Sequence, residues 1–167
     1  MLKLILLAMM TAAVLSIGGS RNVLASSLDL SQFQWKNRLL FLFSPKRDHP
    51  FFDILHKSLT SRQAEVADRD LVIFEILESG PSSINTNSLD PQTAQSLRDK
   101  FDIARSEFTV ILIGKDGGIK LNRQDQTRLE DVFALIDAMP MRQEEMRQKK
   151  RRNGSDTATP NKSGNAE

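Results

Sequence analysis

The chain has 167 residues with 23 Lys+Arg, 21 Asp+Glu and no cysteine, for a formal charge of +2. That length accommodates one domain, and the near-balance of charge excludes a nucleic-acid binder with a basic face on its body. The missing cysteine excludes disulfides, a lipid-modified signal site and any chemistry that needs a thiolate.

Lys3 precedes an almost unbroken apolar run from Leu4 to Ile17, which Gly18, Gly19 and Ser20 end. Val23-Leu24-Ala25 then offers the small residues a signal peptidase reads. The run is shorter than the roughly 18 residues a spanning helix needs, so residues 1–25 read as a signal peptide cut between Ala25 and Ser26. The protein is therefore expected to be exported, to the periplasm or beyond the cell. Loss of Lys3 and Arg21 brings the formal charge to zero, shared unevenly between −3 over residues 26–140 and +3 over residues 141–167.

Ser26 to Lys36 is a polar lead-in with apolar points at Leu28, Leu30, Phe33 and Trp35. The apolar run Arg38–Ser44, bounded by charge and Pro45, predicts a strand buried on both faces. Asp48 and Pro50 supply helix-start chemistry, a capping carboxylate and a first-turn proline. Phe51, Phe52, Leu55 and Leu59 then predict one face of a helix running to about Glu65. Leu71–Leu77 is a second buried strand, and Ser79–Ser88, rich in Gly, Pro, Ser and Asn, reads as a loop. Asp90-Pro91 opens another helix with the stripe Ala94, Leu97 and Phe101. Phe108–Gly114 is a third strand, Lys115-Asp116-Gly117-Gly118 a hairpin turn, and Ile119–Asn122 the returning strand. Thr127-x-x-Glu130 reads as a capping box before a last core helix, which Pro140 ends or kinks. Arg142–Arg152 is charged and helix-forming with almost no apolar face, and Asn153–Glu167 is expected to be disordered. The signal is thus 1–25, the domain 26–146, and the basic, then disordered, tail 147–167.

Strand–helix–strand crossovers require parallel strands, and the hairpin adds an antiparallel edge. The expected fold is an α/β sandwich of order β-α-β-α-β-β-α around a mixed four-stranded sheet, the minimal thioredoxin order. Arg69-Asp70-Leu71, the block Leu112 to Lys120 and the block Ile136 to Arg142 together resemble a thioredoxin-like domain of unknown function. That domain occurs in exported bacterial proteins, in sushi-repeat-containing proteins and, repeated, in a related matrix protein. The resemblance spans Leu28 to Met146 and implies a fold and an extracytoplasmic setting. It supplies no activity, cofactor or catalytic residue.

In a thioredoxin-like fold the active loop joins the first strand to the first helix, the place of Ser44-Pro45-Lys46-Arg47-Asp48-His49-Pro50. No thiol stands there, and Ser106-Glu107-Phe108-Thr109 lacks the proline that normally precedes the hairpin strand. Thioredoxin or peroxiredoxin activity is excluded on both grounds. Ser44, Lys46, Arg47 and His49 are the candidate ligand residues, since a helix N-terminus with two cations favours an anion. His49 and His56 lie 7 apart, about 10 Å along one helix, too far to share a metal ion. Gly114-x-x-Gly117-Gly118 is turn chemistry, and no serine has a nucleophile-elbow context. The basic cluster Arg147, Lys149, Lys150, Arg151 and Arg152 is either a solvated helix end or a contact for an anionic membrane surface. Met139, Met141 and Met146 are expected mainly to fill core. The expected function is a non-catalytic binding module for an unknown protein or anionic ligand, without cofactor or metal. A non-thiol enzyme acting through the Ser44–Pro50 loop and an envelope-associated structural protein are the alternatives.

Overall fold

The computed structural model describes residues 28–156, with side chains to Asn153. Ala25, Ser26, the signal segment and residues 157–167 lie outside the described residues.

A short 3-10 turn, Leu30–Phe33, is capped by Asp29, whose carboxylate accepts from Ser31 N at 2.9 Å. The chain continues through β1 (Arg38–Lys46), α1 (Pro50–Ser61), α2 (Gln63–Asp68) and β2 (Leu71–Ser79). It then forms β3 (Ser82–Ile84), β4 (Asn87–Leu89), α3 (Pro91–Phe101), β5 (Thr109–Ile113), β6 (Ile119–Arg123), α4 (Leu129–Asp137) and α5 (Pro140–Asp156). The strands make one six-stranded sheet in the order β4-β3-β2-β1-β5-β6.

The central strands are apolar on both faces because helices cover both. Leu40 and Leu42 of β1 pack with Phe52, Leu55 and Val132 on one face. Phe41, Phe43, Phe74 and Ile76 pack with Ala94 and Leu97 of α3 on the other. Phe41 stacks on Phe74 at 4.4 Å, an aromatic pair inside an otherwise mostly aliphatic second core.

Five local expectations need correction. The segment Ser79–Ser88 is not only a loop: β3 and β4 form a hairpin that pairs with β2 and widens the sheet from four strands to six. Only β1 and β2 are parallel, and β5 runs antiparallel to β1. The reason is where α3 delivers the chain. Arg98 reaches the carbonyls of Ser44 and Ile76, near the ends of β1 and β2, so α3 crosses that end of the sheet and the next strand must run back. The first helix breaks at Arg62 instead of continuing to Glu65, since Arg62 turns its guanidinium to Glu65 and to Glu130 of α4. His49, not Asp48, is the N-cap of α1 and gives no side-chain cap, because Asp48 pairs with Lys46. Arg128 is likewise the N-cap of α4, and the Thr127 hydroxyl donates to Asp125 O, so the capping box does not form.

Pro140 both ends one helix and starts the next. Helix α5 is not a free tail. Arg142 is only 5% exposed and donates to Asp68 and to Asp137, the latter at 3.1 Å. Glu145 accepts from Arg38 and Lys115 at 3.1 and 2.8 Å. The helix continues through Asn153–Asp156, a stretch expected to be disordered.

Candidate functional site

The site expected from sequence lies where β1 leaves the sheet. The Ser44 side chain is fully buried, and its hydroxyl donates to Lys46 O at 2.8 Å. It braces the turn and faces no ligand. Lys46 and Arg47 are exposed on the turn itself. Lys46 pairs with Asp48 at 3.2 Å, and Arg47 lies 3.5 Å from Glu75 with its guanidinium over the Phe52 ring. His49 stacks flat on Phe108, 5.0 Å between centroids and 7° between planes, and meets the edge of Phe51. Its Nδ1 is buried without a hydrogen-bond partner. The structure therefore brings Lys46, Arg47 and His49 together at the start of α1 and withdraws Ser44.

Beneath the turn lies a polar support. Arg98, 2% exposed, donates to Ser44 O at 2.7 Å, Ile76 O at 3.0 Å and Ala104 O at 3.3 Å. Burial lowers the pKa of its guanidinium, against the pull of Glu78. The Ser44 and Ile76 carbonyls would otherwise be buried acceptors near the strand ends. Arg98 shares the inward stripe of Ala94, Leu97 and Phe101, so a cation on an apolar face was its sequence signal.

A second group belongs to the same end of the sheet. Glu75 on β2 is 6% exposed on the face that carries Leu71, Ile73 and Leu77. Its Oε1 takes Nδ1 of His56, and its Oε2 takes Arg47 and the Ser83 hydroxyl at 3.4 Å. A carboxylate only accepts, so this contact places the imidazole proton on Nδ1. Sequence reasoning passed over Glu75 and discussed His56 only as a metal ligand, though a glutamate interrupting Leu71–Leu77 was a legible anomaly. Among the described residues no group of three or more His, Asp or Glu side chains is arranged to hold a metal ion.

With the fold and site in view, the chain can be placed. Residues 29–145 match the family described as a domain of unknown function, DUF4174. The chain belongs to that family. It is 28% identical over 130 residues to the sushi repeat-containing protein SRPX2 of Xenopus laevis, covering 76% of this chain and 28% of the relative. It is 27% identical over 139 residues to the human sushi repeat-containing protein SRPX, covering 81% of this chain and 30% of the relative. Coiled-coil domain-containing protein 80 of Danio rerio is 22% identical over 133 residues, covering 70% of this chain and 15% of that one. This DUF4174 chain thus spans under a third of the length of these relatives. Among solved structures it is similar to the reduced 2-Cys peroxiredoxin of Plasmodium vivax, with a TM-score of 0.53 at 14% identity. That match covers 69% of this chain and 72% of the peroxiredoxin, and it shows the thioredoxin-like fold alone.

Proposed function

We propose that this DUF4174 domain is an exported binding module that recognises an acidic group of its partner at the β1–α1 turn and performs no chemistry of its own. One observation carries the reading. Where a thioredoxin-like fold presents its reactive sulfur, this chain presents exposed Lys46 and Arg47 beside a helix start without a side-chain cap. Their present partners are weak ones: Lys46–Asp48 is exposed on both sides, and Arg47–Glu75 is a long contact. A phosphate or carboxylate can displace either, and Arg47 can bind two oxygens at once. Export is supported by the Lys3 and Leu4–Ile17 pattern and the Val23–Ala25 cleavage chemistry. No helix among the described residues is long and apolar enough to cross a membrane.

The test is a calorimetric titration of the domain with a hexaglutamate peptide and with inorganic phosphate, at two salt concentrations. Wild type should bind more tightly at low salt, and K46A/R47A should weaken binding at least fivefold. Equal affinities for wild type and variant overturn the assignment.

The second reading, contact with an anionic membrane, rests on α5. Arg147 pairs with Glu144, and Lys149 with Asp68, which leaves Lys150 and Arg151 as exposed charges for a surface. At about 1 kcal/mol per charge this is a weak attachment. Co-sedimentation with vesicles containing phosphatidylserine, for wild type and K150A/R151A, decides it.

A further inference from the structure

A groove of about 490 Å³ runs between α1–α2 and the β3–β4 hairpin. It exists because β3 and β4 extend the sheet beyond the strands that the helices cover. Leu71 and Ile73 form its floor, Leu59 and Val66 its helical wall, and Thr60 and Asn85 its rim. His56 and Glu75 close one end. We propose that this groove binds a small apolar carboxylic acid, with the carboxyl group anchored on Nε2 of His56.

The argument begins with Glu75. Burying a carboxylate costs several kcal/mol unless it is fully hydrogen-bonded, and a leucine there would continue the row of Leu71, Ile73 and Leu77. What Glu75 does is fix His56. Its Oε1 holds Nδ1, while Phe52 stacks on the imidazole at 5.7 Å and 9°. The ring is held by both contacts and remains one-third exposed, so Nε2 is its open polar atom. A carboxylate that orients an imidazole is the arrangement by which proteins present one ring nitrogen in a defined state.

The surrounding charge selects the ligand class. The charged groups at His56 are Glu75 from β2 and, through it, Arg47 from the β1–α1 turn. On α1 itself, Asp53 and Lys57 pair with each other at 2.7 Å. Arg47 offsets Glu75, so the imidazole governs the head-group site. With Nδ1–H held by Glu75, Nε2 accepts from the O–H of the acid, or the site takes up one proton together with the carboxylate so that Nε2–H donates to it. The imidazolium–carboxylate pair is the contact an alcohol or an ammonium head cannot make. At the rim, Asn85 Oδ1 accepts from Ile73 N at 2.9 Å, so its amide hydrogens are donors along the groove. An ammonium head would add a cation near Arg47 and find both Glu75 oxygens already engaged. The volume lies in the range of small-molecule sites, and the apolar floor takes the chain.

The test uses three eight-carbon probes that differ only at the head: octanoate, octylamine and 1-octanol. Chemical-shift titration of the labelled domain should show octanoate perturbing the groove residues and binding at least tenfold more tightly than the other two. H56A should weaken octanoate at least tenfold, and A67F, which fills the groove at exposed Ala67 away from the imidazole, should abolish binding. Saturating hexaglutamate should not reverse the octanoate shifts of the groove residues, which separates this site from the anion site at the turn. Should H56A fail to fold, H56Q can still bond to Glu75 and is expected to show an intermediate loss. Equal binding of octylamine or 1-octanol, or an octanoate affinity unmoved by A67F, overturns the proposal.

Discussion

The two ends of the central strands use the same residue types to opposite effect. At the amino end of β1 and β2, Arg38, Arg69, Lys115 and Arg142 meet Asp68, Asp70, Asp137 and Glu145. Apart from Asp137, five residues before Arg142, these partners come from distant parts of the chain, and Arg38, Lys115 and Arg142 are buried. At the carboxyl end, Lys46 and Arg47 are exposed, and the nearest carboxylates are a neighbour two residues on and a 3.5 Å contact. Charge type does not separate the two ends. Burial does, and it divides charges that hold the fold from charges left to a ligand.

Arg142→Ala tests the amino end most severely. It removes a nearly buried guanidinium that donates to the Asp68 carboxylate, the Asp68 carbonyl and Asp137, and losing these charge-assisted hydrogen bonds should cost about 3 kcal/mol. Urea unfolding at pH 7 measures this, and a loss below about 1 kcal/mol would erase the contrast between the ends. Arg98→Met comes next, since it strips donors from three carbonyls at the other end, and about 2 kcal/mol is expected. That variant shows whether a cation at the carboxyl end can also be structural when it is buried.

Acid should weaken the amino end. Hydrogen bonds from Lys149 and then Arg142 hold the Asp68 carboxyl below its ordinary range. Burial pushes Glu145 upward, but hydrogen bonds from Arg38 and Lys115 bring it below its usual value. A depressed carboxylate adds stability that is complete above its unfolded pKa, about 4 for these residues, and is lost as pH falls through the folded value. Wild type should therefore lose stability below about pH 4, and D68N should flatten that slope. The smallest effect belongs to K46A/R47A, which should change stability by less than about 0.5 kcal/mol. A larger loss would assign the turn to the scaffold.

The parts of the fold legible in sequence were those with a single physical signal. β1, β2 and β5 are short apolar runs with charged or turn-forming flanks, and the Asp116–Gly117 turn admits Gly117 at φ 81°. β3 and β4 went unread because Ser82-Ser83-Ile84 and Asn87-Ser88-Leu89 have loop composition and become strands only by pairing, β3 with β2 and β4 with β3. Asp90 capped α3 as its position implied, whereas Asp48 and Thr127 took other partners. The turn residues of the candidate site were locatable from their place after β1. Burial of Ser44 followed from reading Arg38–Ser44 as a strand covered on both faces, whereas the support of its carbonyl by Arg98, 54 residues later, did not. Arg142 and Glu145 looked like surface charges for the same reason. Their partners, at positions 38, 68 and 115, are supplied by the tertiary fold.

The clamp on α5 also fixes where the chain leaves the body. Lys149 bonds to Asp68, and the helix continues for seven residues to Asp156, about 10 Å of further rise. A helix of that length acts as a spacer with a set direction, so whatever is joined after Asp156 starts at a defined standoff instead of sweeping a sphere around the domain. For a module fused to or recruited beside another domain, that restricts the volume searched by the second binding event and raises its effective concentration where the geometry fits.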